Sequence, residues 1–245
     1  MKNNFSPNLP NEKISKVIIS GEYPSIIKEF EKLGIKTITT KSHKALPLYE
    51  SYHADLQCLH THDNNVIVLQ NNDYIVKQLE ENNINYTICK SKGEDIYPYY
   101  ILLNAAIIGD FILCKEIAID PLVKEFAKEN DKKIINVNQG YARCSTAIVS
   151  ENAIITSDNS IIAAAKELEI DVLKIKKGFI DLPGYNYGFI GGCCGKLDKD
   201  TLLFIGKIEE HPEYKKMKSF ADNHNVNLLS LTNEPLLDIG GFISI

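Results

Sequence analysis

Long apolar runs are missing from this 245-residue chain. No stretch approaches the roughly 20 apolar residues that a membrane helix needs, so a membrane is not expected as a partner. A basic excess is missing too: 27 Lys and Arg stand against 32 Asp and Glu, a net charge of −5. Nucleic acid and anionic lipid are usually met by a basic face, and neither is expected here. No CxxC or HExxH spacing occurs, so no zinc site is expected, and the sequence calls for no metal or cofactor. No GxGxxG or GxxxxGK[ST] follows any strand-like segment, which disfavours a nucleotide-binding enzyme. Six cysteines in a chain this long do not make a disulfide scaffold. Cys58, Cys89 and Cys114 sit in apolar or strand-like runs and read as small buried hydrophobes. The opening MKNNFSPNLPNEKIS has no apolar core of a secretory signal. The expectation is a reduced, cytoplasmic protein, with residues 1–15 a poorly ordered lead-in and 16–245 one domain.

What the chain does have is a repeat. Asn138 to Asp158 holds a glycine-led approach, a cysteine opening an apolar strand, a turn at Ser150-Glu151-Asn152 and a second strand; a helix to Leu168 and a closing strand, Ile170 to Ile175, follow. The same order starts near His53, with a turn at Asp63-Asn64-Asn65, again near Leu102 and near Tyr187. In the third unit Asp120-Pro121 reads as a capped helix start with proline at the first helical position. The first unit, from Lys16, has strand, helix and strand but no leading strand, and its Gly34 fits a left-handed helix terminus. The tail, LLDIGGFISI, is a strand with no helix after it, and is expected to complete the first unit. A period of roughly 40 to 50 residues with three strands per helix excludes a doubly wound sheet and an all-β propeller. The predicted fold is α/β: a five-fold pseudo-symmetric α/β-propeller of ββαβ units closed by its termini.

Two short motifs stand out on that frame, His53-Ala54-Asp55 and Arg143-Cys144-Ser145-Thr146. They are separated by 91 residues, or two units. Bland readings stand beside them. Cys144 can be an inert strand cysteine, and Asp55 can cap a turn. His60 and His62 read as surface polar residues before a turn rather than metal ligands. Gly191-Gly192-Cys193-Cys194-Gly195 suggests close approach of backbone to a ligand or another strand, and its paired cysteines speak weakly for redox chemistry.

With five such units and these motifs, the chain resembles the pentein superfamily of guanidino-group-modifying enzymes, closest to an uncharacterised clostridial branch. That group includes arginine and agmatine deiminases, dimethylarginine hydrolases and amidinotransferases. Its histidine lies in an H-x-D/E motif and its cysteine generally follows two units later, as His53 and Cys144 do here. The family cysteine usually lies near the C-terminus, whereas Cys144 is central, so the resemblance implies a circularly permuted order of units or a loss of catalysis. Family GGD or GGN elements are matched only by Ile190-Gly191-Gly192-Cys193 and Ile239-Gly240-Gly241-Phe242, neither with a carboxylate or amide after the glycines.

The resemblance implies a hydrolase or transferase acting on a small amidino or guanidino compound. Cys144 would be the nucleophile and His53 the acid and base, with Asp55 beside them. Asp55 and Asp238 could hold the cationic group by charge-assisted hydrogen bonds. Asn104 is expected to line the same pocket, and Arg143, Gly191 and Gly192 to contact the ligand. The alternative is a non-catalytic protein of this fold that binds a small molecule or a protein partner.

Overall fold

The computed structural model describes residues 6–62 and 64–245. Residues 1–5, Asp63 and the side chain of His62 lie outside that description, and with them parts of the expected lead-in and of the second unit's turn. The first unit is built from β1 (Lys16–Ser20), α1 (Pro24–Lys32) and β2 (Lys36–Thr40). The second has a short helix α2 (Ala54–Gln57), then β3 (Cys58–His62), β4 (Asn65–Val68), α3 (Asp73–Glu81) and β5 (Asn85–Ile88). The third comprises β6 (Ala106–Ile108), β7 (Phe111–Cys114), α4 (Pro121–Glu129) and β8 (Lys133–Asn136). The fourth comprises β9 (Thr146–Ser150), β10 (Ala153–Thr156), α5 (Asn159–Glu167) and β11 (Asp171–Lys174). The fifth comprises β12 (Cys194–Asp198), β13 (Thr201–Phe204), α6 (Tyr214–Asn223) and β14 (Asn227–Ser230), and β15 (Phe242–Ser244) ends the chain.

These strands form five three-stranded sheets, each with one antiparallel and one parallel pair. As the sequence predicts, β15 joins the first sheet, pairing antiparallel to β1 with Ile18 opposite Ile243. The two inner strands of each sheet are short and apolar because both their faces are covered, one by each neighbouring unit, whereas the outer strands β2, β5, β8, β11 and β14 are partly exposed. In β6 and β7, Ile107 and Ile112 enter the core shared with the second unit, while Ala106, Ile108 and Leu113 enter the core shared with the fourth. Five such cores join the units in cyclic order, the last uniting Leu197 and Leu203 with Val17, Phe30 and Phe242. A strand period of two therefore serves two interfaces at once, which is what bends five small sheets into a ring.

Helix ends follow one rule in all five units. Asp120 caps α4 as expected, accepting from the Leu122 N–H, and Asp158 likewise caps α5, accepting from the N–H groups of Ser160 and Ile161. The chain then leaves each helix through a left-handed residue: Gly34, Asn83, Asp131, Glu169 and Asn225, at φ of 75°, 55°, 54°, 57° and 57°. The sequence marks only the first of these with glycine. Two expectations are corrected. The third unit, expected to start near Leu102, has its leading strand only at Ala106–Ile108, because residues 101–105 form hydrogen-bonded turns, Asn104 N–H to the Ile101 carbonyl at 3.1 Å and Ala105 N–H to that of Leu103 at 2.9 Å. Residues 6–15 are not a loose lead-in: Asn8 donates to the Ile107 carbonyl at 3.1 Å, and the Ile14 N–H to that of Leu197 at 3.0 Å.

Closure rests on few side chains. Phe242 is buried and meets Phe30 edge-on with ring centroids 5.0 Å apart. Replacing Phe242→Ala empties the core that joins the last strand to the first. It is expected to lower unfolding free energy by about 3–5 kcal/mol, read from the denaturant midpoint.

Candidate active site

Each unit sends one loop to the axis just before its leading strand. Those loops carry His53 and Asp55, then Asn104, then Arg143 and Cys144, then Gly191 and Gly192, and last Asp238 to Gly241. His53, Asp55, Asn104, Cys144 and Asp238 are all buried. The ring thus gathers residues that are far apart in sequence at one point, and it does so by repetition of the same local structure.

The centre is tightly bonded. The Cys144 thiol lies 2.7 Å from Asp55 Oδ2, to which it donates. Ligand atoms of His53, Asp55 and Cys144 all lie within 4.8 Å of one another. Asn104 sets the cysteine loop: its Oδ1 accepts from the backbone N–H of Arg143 at 2.8 Å and of Cys144 at 3.4 Å. Its amide nitrogen faces Cys144 Sγ and the Asp55 carbonyl, each at 3.3 Å.

The other expected ligand-contacting residues are placed differently. Asp238 accepts from the Gly240 N–H on Oδ1 (3.0 Å) and from the Phe189 N–H on Oδ2 (2.8 Å). The Arg143 guanidinium donates to the Gly191 carbonyl at 3.2 Å and stands as a positive charge near Asp55. The Gly192 N–H donates to the Cys144 carbonyl at 2.9 Å. A Cβ on Gly192 would come within 1.9 Å of Asp238 Oδ1, and one on Gly191 within 2.4 Å of the Arg143 carbonyl oxygen. The close approach foreseen for this glycine pair is therefore to neighbouring backbone at Gly191 and to the Asp238 carboxyl at Gly192. Gly240, at φ +77°, floors His53, whose Cβ lies 2.6 Å from where a side chain would begin. Cys193 and Cys194 are buried free thiols.

Electrostatics mark the centre as short of positive charge. Burial pushes Asp55 up to about 6, although the Cys144 hydrogen bond and the Arg143 charge pull the other way. Asp238 rises to about 7, again through burial, with the charges of Asp55 and Glu50 adding to it. Burial lowers His53 to about 3, so its imidazole is neutral at ordinary pH. Burial, then the Asp55 and Asp238 carboxylates, hold the Cys144 thiol well above its ordinary value. Without a ligand this is a thiol beside a neutral imidazole, not a thiolate–imidazolium pair. His53, Asp55 and Cys144 are also the one His/Cys/carboxylate trio among the described residues close enough to share a metal ion, which would have to displace the thiol proton.

One acidic residue escaped the sequence reading. Glu50 is buried in the turn before His53, its carbonyl accepts from the His53 N–H at 2.9 Å, and its Oε2 has no hydrogen-bond partner. Its only sequence signal is a lone carboxylate among tyrosines, LYESYHAD.

Comparison with other proteins now has a geometry to refer to. Residues 18–243 match a family described as a family of unknown function (DUF6873). The chain belongs to that family. No curated protein matches it. Among solved structures it is similar to inosamine-phosphate amidinotransferase StrB1 from Streptomyces griseus, with 9% identity over 98% of this chain and 96% of that one, at a TM-score of 0.57. SxtG, an amidinotransferase of the saxitoxin biosynthetic pathway from Microseira wollei, gives 12% identity over 93% and 90%, at 0.52. A citrulline complex of DDAH from Pseudomonas aeruginosa gives 6% over 89% and 92%, at 0.53. At such identities the likeness establishes the fold, and the fold of this DUF6873 protein is the pentein fold. No helix among its described residues is long and apolar enough to cross a membrane.

The raised carboxyls give a stability prediction. Between its ordinary 3.8 and about 6, native Asp55 holds a proton that the unfolded chain has lost, so this residue's contribution falls as pH rises through that window. His53 acts oppositely: between about 3 and 6.5 the unfolded chain binds a proton that the native imidazole refuses, so stability there rises with pH. Asp55→Asn isolates the first effect. At pH 8 the variant should be more stable than wild type by about 3 kcal/mol, with the gap about halved at pH 5 and closed by about pH 3, measured by denaturant unfolding at the three pH values.

Proposed function

We propose that the protein is a cysteine-dependent hydrolase or transferase acting on a small guanidino or amidino cation. The observation that carries this is the meeting of Cys144, His53 and Asp55 in a buried centre whose carboxyls, Asp55, Asp238 and nearby Glu50, outnumber the one guanidinium beside them, Arg143. A guanidinium entering beside Asp55 would supply the missing charge. It would favour the ionised carboxylate, and it would make the thiolate of Cys144 cheaper to form, because the negative field that now opposes it would be neutralised.

Chemistry then follows from the donors present. The thiol gives its proton to His53, and the sulfur attacks the guanidinium carbon. The carbon–nitrogen bond to the departing amine breaks as that nitrogen takes a proton from His53, leaving an S-alkylthiouronium on Cys144. Water, activated by the now neutral imidazole, releases the product in a hydrolase, and an acceptor amine does so in a transferase. Asn104 serves as a positioning residue, since it holds the cysteine backbone and faces the sulfur. Asp238 and the glycine pair support the loop from beneath.

A second reading has its own support. With no ligand the thiol is held protonated, and the residues after the two Gly-Gly pairs are Cys193 and Phe242 rather than a carboxylate or amide. That favours a protein that binds a cation without turning it over. Incubation with arginine, 4-guanidinobutylamine and methylated arginines separates the two readings. Catalysis predicts ureido or amidino-transfer product from at least one compound and an amidino adduct on Cys144 in acid-quenched protein. Product should fall at least a thousandfold in Cys144→Ala and in His53→Ala. Binding of the same compounds with neither product nor adduct would sink the enzyme reading.

A further inference from the structure

Aromatic residues from four inter-unit loops cluster around Glu50, whose carbonyl accepts from the His53 N–H at 2.9 Å. Tyr141 stacks on Tyr97 with centroids 6.4 Å apart and lies 6.0 Å from Phe189. Its hydroxyl meets that of Tyr100 at 2.7 Å. Tyr185 packs edge-on against Tyr49 at 6.2 Å, and Tyr49, Tyr97 and Tyr185 are exposed. These rings are not a sealed core: they stand between solvent and the buried residues beneath.

Glu50 sits among them, only 4% exposed. The hydroxyls of Tyr185 and Tyr141 face its carboxyl, yet Oε2 remains without a partner. Among the described residues no lysine, arginine or histidine forms an ion pair with it, and the nearby Asp95 adds to the negative field. Its charge is felt at both Asp55 and Asp238, and its carbonyl bonds the His53 N–H at 2.9 Å, so Glu50 lies beside the reacting centre. The neighbouring cations are already engaged. Arg143 donates to the Gly191 carbonyl, and Lys115 donates to the Asn138 carbonyl with its ammonium 5.7 Å from the Tyr97 ring. A buried, half-bonded carboxylate with aromatic faces around it is built to receive a cation: the ammonium would bond the free oxygen and lie against the ring faces.

We propose that Glu50, with Tyr141 and Tyr185, forms an outer cation subsite, so that the ligand is a dication, a guanidine carrying an amine at its far end. This rests on the reading of the inner centre as a guanidinium site and adds the substrate class. An amino-acid ligand is selected against, because its carboxylate would lie in the field of Glu50 and Asp95 with no free cation to receive it.

Calorimetric titration of the Cys144→Ala variant, which cannot turn ligand over, tests the subsite with two probes of equal reach, 4-guanidinobutylamine and butylguanidine. The dication should bind at least about tenfold more tightly than the monocation, and more tightly than arginine. Adding Glu50→Gln should collapse the ratio of the two affinities to about one, and adding Tyr185→Phe should lower it severalfold; the latter change removes one hydroxyl at an exposed ring and keeps the test open if Glu50→Gln does not fold. The two layers fail separately. Butylguanidine binding reports the inner centre, and the ratio reports the outer one. Equal affinities, or a ratio that survives both substitutions, would overturn the outer subsite alone. Binding of neither guanidine would overturn the inner reading and this inference with it.

Discussion

The pairing of β15 with β1 is the constraint on which the rest depends. A chain of five sheets whose faces are apolar on both sides has no stable open form, because the first and last units would each expose a core-sized surface to water. Antiparallel pairing of Phe242–Ser244 with Val17–Ile19 removes both exposures at once. It also determines the site. Asp238, Gly240 and Gly241 immediately precede β15, so the strand that shuts the ring brings the Asp238 clasp up to Gly192 and lays Gly240 against His53. Stability and the geometry around the cysteine are therefore coupled through one short strand.

Within that frame the centre is governed by charge. Burying Asp55, Asp238 and Glu50 together costs free energy, and each carboxyl responds with a raised pKa. Burial suppresses both the thiolate of Cys144 and the imidazolium of His53, and the carboxylate field adds to the effect at the thiolate alone. Desolvation alone would do this to any buried thiol, and Cys58 shows it. What distinguishes Cys144 is a direct hydrogen bond to a carboxylate that is itself destabilised by burial. A cationic ligand relieves the carboxylates and the sulfur together. On the proposed reading, reactivity is conditional on occupancy, and the free protein holds an unreactive thiol.

Much of the architecture was legible in the sequence because it is written in local terms. Apolar strands, capped helices such as α4 at Asp120-Pro121, and a tail without a helix each have a residue signature, and their repetition multiplies it. The left-handed helix exits at Asn83, Asp131, Glu169 and Asn225 were not legible, since Asp and Glu there carry no mark that separates them from ordinary polar turns. His53, Cys144 and Asp55 could be paired through their two-unit spacing. The distinct tasks of Asp238, Arg143 and Gly192 could not, because each is defined by a backbone group on another unit. Glu50 was invisible for a similar reason: its importance lies in a missing hydrogen bond, and sequence does not display absences of that kind.

The glycine pairs bear on how a guanidinium could be held. Residues after both pairs have turned inward to packing. Cys193 donates to the Ile190 carbonyl at 3.2 Å, and Phe242 fills the closing core. Asp238 keeps its charge near the centre, but both of its oxygens already receive backbone N–H groups. Asp55 is different: Oδ1 has no partner and Oδ2 holds only the thiol proton. The grip on a planar cation would thus fall chiefly on one carboxylate at the centre, which binds a monocation weakly. On the proposed reading a second anchor beside the centre would compensate for that, and buried Glu50, with its unpartnered Oε2, would provide it. The thinning of the inner grip and the orphaned outer oxygen are, on this view, two sides of one change in what the site binds.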